Sequence, residues 1–142
     1  MHIDSFIPSS GTVPFVMQAL FAVDDSTMEN GSTIVVPGSH LSDQYATQEA
    51  VRESIPVELN QGDFVLWDSR LWHGAKPNIS GEDRWALITT FTRWWIKQNY
   101  QTPMSLDKEL SDLLNPCERT IMGFNSYPPF NEYDRIDIKK GH

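Results

Sequence analysis

Cysteine is almost absent. Cys117 stands alone among 142 residues, which excludes an internal disulfide and a zinc knuckle built from thiolates. Positive charge is also scarce: 11 Lys and Arg against 19 Asp and Glu leave a formal net charge of −8. Phosphate backbones need a net basic face, so nucleic acid is excluded as a partner. A small anion is not excluded, because one arginine in a closed pocket outweighs a distant acidic surface. No run approaches the roughly 18 apolar residues of a membrane span. Met1-His2-Ile3-Asp4-Ser5 has neither the basic nor the apolar region of a signal peptide. The resulting expectation is a soluble, cytoplasmic chain with no membrane partner. Aromatic residues, by contrast, are plentiful: 5 Trp, 7 Phe and 4 Tyr within a hydrophobic fraction of 39%. That composition supports a packed core, and a chain of this length makes one domain burying roughly 68–70% of its unfolded surface.

The middle of the chain reads as short strands. Phe15 to Val23 is rich in β-formers and is stopped by Asp24-Asp25 and Glu29-Asn30-Gly31. Thr33 to Val36 is a second strand, ended by Pro37-Gly38-Ser39-His40; His40 there shapes a loop. Ala46 to Glu53 is weakly helical, and its Glu49 and Glu53, like Asp43 and Glu58, read as solvated surface. Further strands are expected at Ile55 to Leu59, Phe64 to Trp67, Leu71 to Ala75 and Trp85 to Trp95, with Gln61-Gly62-Asp63 as a turn. Strands at this density suggest a sandwich or barrel, with Trp67, Trp72, Trp94 and Trp95 packing its core and rim. Ser105 to Leu114 reads as a helix with an imperfect capping box and Leu106, Leu110, Leu113 and Leu114 on one face. A turn of helix after Asn115-Pro116 reaches Met122, and Tyr127-Pro128-Pro129 forces extended structure before a frayed His142.

Chemistry concentrates at two places. His2-Ile3-Asp4 is an H-x-D triplet; on an extended segment residues i and i+2 point to one side, roughly 6.6 Å apart. His73, in Leu71-Trp72-His73-Gly74-Ala75, supplies a possible third ligand. Two imidazoles and one carboxylate on one face, with open positions, form the non-heme iron(II) oxygenase arrangement. Arg84 follows His73 by eleven residues. A guanidinium binds a carboxylate bidentately and can anchor the far end of a dicarboxylate whose near end chelates the metal. A divalent metal, Asp4, a dianionic 2-oxoacid and Arg84 together carry no net charge, which makes their burial feasible. Each residue also has a plainer reading. His73 can be structural, His2 can belong to a frayed terminus, and Arg84 can be an exposed edge residue paired with Glu82 or Asp83.

The order H-x-D, late histidine, then arginine eleven residues on resembles the phytanoyl-CoA dioxygenase family of iron(II)/2-oxoglutarate oxygenases. Glu29-Asn30-Gly31 leading into Ile34-Val35-Val36-Pro37-Gly38-Ser39-His40 is similar to that family's strand and loop signature. Gly62-Asp63-Phe64-Val65-Leu66-Trp67, followed by Trp72-His73-Gly74-Ala75 and Asn78, is similar to its second signature. The resemblance extends over nearly the whole chain. It implies a mainly β, double-stranded β-helix core of the jelly-roll or cupin type over residues 1–98, with a helical and proline-rich tail over 99–142 packing on it. It implies His2, Asp4 and His73 as iron(II) ligands and Arg84 as partner of the 2-oxoglutarate C5 carboxylate. Leu20 falls where members line the cosubstrate pocket, and Ala75 replaces a small hydroxyl residue found in some of them. The implied reaction uses O2 and 2-oxoglutarate to hydroxylate a small-molecule substrate, releasing succinate and CO2. Related halogenating enzymes carry a small residue at the position of Asp4, so a carboxylate there favours hydroxylation.

One departure is conspicuous. Members normally carry a long segment before H-x-D, with helices, the first barrel strand and part of the pocket. Met1 therefore reads as an internal or truncated start, and the barrel as incomplete at its N-terminal side. Two alternatives stay open: a metal-binding cupin-like module without 2-oxoglutarate chemistry, and a truncated, inactive fragment. Substrate and oligomeric state are not legible, although an exposed edge strand favours self-association.

Overall fold

The computed structural model describes residues 1–5, 8, 9 and 11–126, so the extended stretch expected at Tyr127-Pro128-Pro129, and His142, lie outside the described residues. The chain divides into two units, Met1–Thr92 and Arg93–His142.

The first unit is mainly β. Its strands are β1 (Val16–Ala22), β2 (Thr33–Val35), β3 (Ile55–Val57), β4 (Phe64–Asp68), β5 (His73–Ala75) and β6 (Ala86–Thr92). They form two antiparallel three-stranded sheets, ordered β4-β1-β6 and β3-β2-β5. The strands predicted from composition are all present; β4 runs one residue further than expected, to Asp68, and the others are shorter at their ends. The weakly helical 46–53 stretch is a 3-10 turn at Glu49–Glu53, and His40 lies in a second one at Ser39–Leu41.

Alternation along β1 creates two unlike faces. Gln18 pairs with Trp67 on one side and Thr90 on the other, and Leu20 likewise with Val65 and Ile88. Gln18, Leu20, Ala22 and Trp67 on this inner face are buried. The opposite face aligns Phe64, Phe21 and Leu87 in one row, with Leu66 and Phe91 nearby. All five are exposed, Phe64 at 64%. In the second sheet Thr33 pairs with Val57 and Ala75, and Val35 with Ile55 and His73. The core is completed by Ile34, Val36 and Ala50. Pro56 sits on β3, which among the described residues pairs only with β2, an edge position where a missing N–H is tolerated.

The second unit carries three short helices, α1 (Thr102–Ser105), α2 (Lys108–Leu113) and α3 (Pro116–Ile121). The single helix expected over Ser105–Leu114 is corrected here. Ser105 closes α1, Leu106 lies between helices, and Asp107 precedes α2. Pro103 explains the earlier start, since proline suits the first helical turn. A full capping box occurs instead at α3, where Asn115 accepts from the Cys117 and Glu118 amides and Glu118 accepts from the Asn115 amide. Trp94 and Trp95 pack edge to face, 5.7 Å between centroids, yet both are exposed rather than core.

Candidate metal centre

Residues 2–5 are anchored by backbone hydrogen bonds to the segment around β5. His2 forms an isolated antiparallel bridge with His73 at the free edge of β5. Two residues on, the amides of Asp4 and Ser5 donate to the Ser69 carbonyl at 2.8 and 3.2 Å. Alternation then turns the His2 and Asp4 side chains to the same side, as the H-x-D spacing predicts.

The three side chains converge. His2 Nε2 lies 3.3 Å from Asp4 Oδ1 and His73 Nε2 lies 3.2 Å from Asp4 Oδ2. The two imidazole centroids are 4.2 Å apart, and one donor atom from each of the three residues fits within 4.8 Å. Side-chain exposure grades from 59% at His2 through 25% at Asp4 to 9% at His73. His73 Nδ1–H donates to the Leu71 carbonyl at 2.9 Å, a tautomer that leaves Nε2 as the free donor to a metal. Two imidazole nitrogens and a carboxylate of this kind fit a divalent first-row transition metal with positions left open.

The three groups shift in different directions. Burial works against charge on His2, and His73 adds to the effect, so His2 titrates below its ordinary value. Burial alone would raise Asp4, but the hydrogen bond and charge of His73, with the charge of His2, hold it below the ordinary carboxyl value. His73 is raised, since contacts with Asp4 and the Leu71 carbonyl outweigh its burial.

A cavity of about 560 Å³ opens beside this cluster. His2, Asp4, His73, Arg84 and Leu20, the five residues selected from sequence, all line it. Arg84 is not paired with Glu82 or Asp83; its Nη2 donates to the Gly31 carbonyl at 2.9 Å and its Nε to the Asn30 carbonyl at 3.3 Å. Two of five N–H groups are thus used to aim the guanidinium. Gly31 makes this possible. Its φ is +86°, and a Cβ there would lie 3.0 Å from the Lys76 carbonyl oxygen. Ala75 also lines the cavity.

Several lining residues escaped the sequence reading. Gln18, whose Oε1 accepts from the Thr90 hydroxyl at 2.7 Å, and Thr33 both border the cavity. They sit among apolar strand residues in different sheets, and only the fold brings both to the cavity. Trp67, read as packing, packs with its ring centroid 5.5 Å from that of His73 and borders the cavity as well. Trp72 instead donates from its indole to the Gln44 carbonyl at 3.2 Å.

A family model described as phytanoyl-CoA dioxygenase (PhyH) matches residues 1–86. The chain belongs to the phytanoyl-CoA dioxygenase family. An uncharacterized Mycobacterium bovis protein is 41% identical over 80 residues, covering 56% of this chain and 29% of that protein. Dioxygenase af480 of Aspergillus fumigatus is 29% identical over 133 residues, covering 88% of this chain and 42% of its own length. Among solved structures, AviO1 from Streptomyces viridochromogenes superposes with a TM-score of 0.53 at 31% identity, over 65% of this chain and 43% of AviO1. The chain thus spans less than half the length of each of these relatives. Among the described residues no helix is long and apolar enough to cross a membrane.

Proposed function

We propose that this chain carries the iron(II) and 2-oxoglutarate site of a non-heme oxygenase that hydroxylates a small organic molecule. The observation that carries this reading is the shared cavity: His2, Asp4 and His73 within ligating distance of one point, and Arg84 bordering the same space. His2, Asp4 and His73 hold the metal. Bound there, iron(II) supplies the redox chemistry of dioxygen activation. The protein supplies ligation, orientation and exclusion of water. Leu71 fixes the His73 tautomer, and the Asn30 and Gly31 carbonyls aim Arg84 before any ligand arrives. A planar guanidinium held this way pairs bidentately with the C5 carboxylate of 2-oxoglutarate. Thr33 also borders the cavity. Leu20 and Trp67, both buried, give the cavity apolar lining, and a less polar surrounding strengthens an ion pair. In the net reaction one atom of O2 enters succinate and the other enters the hydroxylated product, with C1 of 2-oxoglutarate leaving as CO2. Asp4 favours hydroxylation over halogenation because the carboxylate fills the coordination position a halide needs. A cytoplasmic location fits the near absence of cysteine.

A second reading is favoured by the two sheets having only three strands each among the described residues, in a chain less than half its relatives' length. In that reading the chain binds metal and 2-oxoglutarate but needs further polypeptide for turnover. Oxygen-dependent conversion of 2-oxoglutarate to succinate, followed by NMR without added substrate, separates the two. Slow succinate formation that Arg84→Ala abolishes supports the oxygenase. Tight binding of both ligands with no succinate supports the second reading.

A further inference from the structure

Arg70 touches none of the three metal-binding side chains, yet it joins the segments that carry them. It is only 7% exposed. One side of its guanidinium grips Asp68, with Nε donating to Oδ1 at 2.9 Å and Nη2 to Oδ2 at 2.6 Å. The other side reaches back about sixty residues along the chain, where Nη1 donates to the Ser9 and Gly11 carbonyls, each at 2.5 Å. Ser69, between the paired residues, is 1% exposed. Its carbonyl receives the Asp4 and Ser5 amides, and its amide donates to the Val16 carbonyl at 3.1 Å. The backbone that leaves the H-x-D triplet is therefore held at both ends by the turn between β4 and β5.

We propose that Arg70 is a positioning residue of the metal centre. By locking the Asp68–Arg70 turn against Ser9 and Gly11, it fixes the Ser69 carbonyl and hence the place where Asp4 presents its carboxylate to His73. Arginine suits this role because its planar fork serves a carboxylate on one edge and two carbonyls on the other. Asp68 neutralises the buried charge and sets the plane of the fork. Lysine has the charge without the fork. The inference rests on reading His2, Asp4 and His73 as metal ligands.

The test is Mn(II) affinity of the full chain, measured by electron paramagnetic resonance, with amide hydrogen exchange of the metal-free protein alongside. Arg70→Lys is expected to stay folded and lose roughly 10–100-fold in Mn(II) affinity, the usual cost of losing an outer partner of a metal site. Exchange at the Asp4 and Ser5 amides should quicken, while the Leu20 and Phe21 amides in β1 stay protected. Mn(II) affinity within twofold of wild type overturns the proposal, as does a uniform rise in exchange, which a general stabilising role would give. If Arg70→Lys does not fold, Asp68→Asn serves: it frees the guanidinium plane and should lower affinity in the same direction, and unchanged affinity overturns the proposal. Wild-type protein that binds no Mn(II) overturns both this inference and the metal-site reading. Wild-type binding with unaffected variants overturns this inference alone.

Discussion

His2 and His73 are backbone partners before they are side-chain neighbours: the His2 amide donates to the His73 carbonyl at 2.9 Å, and the His73 amide returns the bond to His2 at 3.0 Å. Reciprocal pairing of this kind holds two residues about 5.5 Å apart at Cα with side chains on one side of the ladder. The separation of the two imidazoles is therefore set by the sheet and not by side-chain packing. Asp4, two residues on, is placed by that bridge together with the Ser69 carbonyl that accepts its amide.

Removing any one of the three proposed ligands, His2, Asp4 or His73, should cost more Mn(II) affinity than the roughly 10–100-fold typical of an outer partner. His2→Ala and His73→Ala should lose it equally in kind, although His2 is by far the more exposed. Asp4→Ala that kept full succinate formation without added chloride would contradict the assignment of Asp4 as a ligand. Calorimetric titration of the folded variants measures the first effect.

Gly31→Ala should impair 2-oxoglutarate binding from a distance. The added Cβ meets the Lys76 carbonyl at 3.0 Å on a backbone of φ +86°, so the Gly31 carbonyl that aims Arg84 must move. Loss of a hydrogen bond to a charged group, worth about 1.5–3 kcal/mol, predicts a KM for 2-oxoglutarate raised by roughly 10-fold or more. Metal affinity should change little. Equal loss of both would point to general unfolding instead.

The Asp68–Arg70 pair should leave a signature in acid. Burial opposes the charge on Asp68, but the Arg70 hydrogen bonds outweigh it and hold the carboxyl below its ordinary value of 3.8. A carboxyl depressed in the folded state stabilises the protein fully above the unfolded value and loses that contribution as pH falls through the folded one. Asp68→Asn should therefore destabilise by about 3 kcal/mol near neutrality, and its difference from wild type should shrink once pH drops below 3.8. Urea denaturation across that range is the measurement, and a pH-independent difference would contradict it.

The exposed row of Phe64, Phe21 and Leu87, with Leu66 and Phe91 beside it, is an apolar sheet face. Faces of this kind drive association. Light scattering should show a mass rising with concentration, and a Phe64→Lys, Leu87→Lys double variant should reduce it. A wild-type chain that stays monomeric at high concentration would contradict this.

The strands were legible because β-formers such as Val16–Ala22 and Ala86–Thr92 lie between Asn-Gly, Pro-Gly and Gly-Asp breaks. Helix limits were less so. Leucine spacing from 106 to 114 suggested one helix, while Pro103 and the extended Leu106 and Asp107 divide it. Burial of tryptophan was not legible either: Trp67 faces inward by its register with Gln18, whereas Trp94 and Trp95 lie outside any strand pairing. Of the site, the H-x-D triplet, His73 and Arg84 carried their own chemical signal. Arg70 carried none, because its carbonyl partners lie about sixty residues away and Asp68-x-Arg70 becomes a clamp only when the turn closes on them.

The most direct test of the shared metal and cosubstrate cavity is an anaerobic titration of iron(II) and then 2-oxoglutarate into the folded chain, following the visible charge-transfer absorption of their complex. A saturable band in wild type that Arg84→Ala weakens or abolishes is the expected result. Folded protein that develops no band, or a band indifferent to Arg84, would contradict a cavity that holds both.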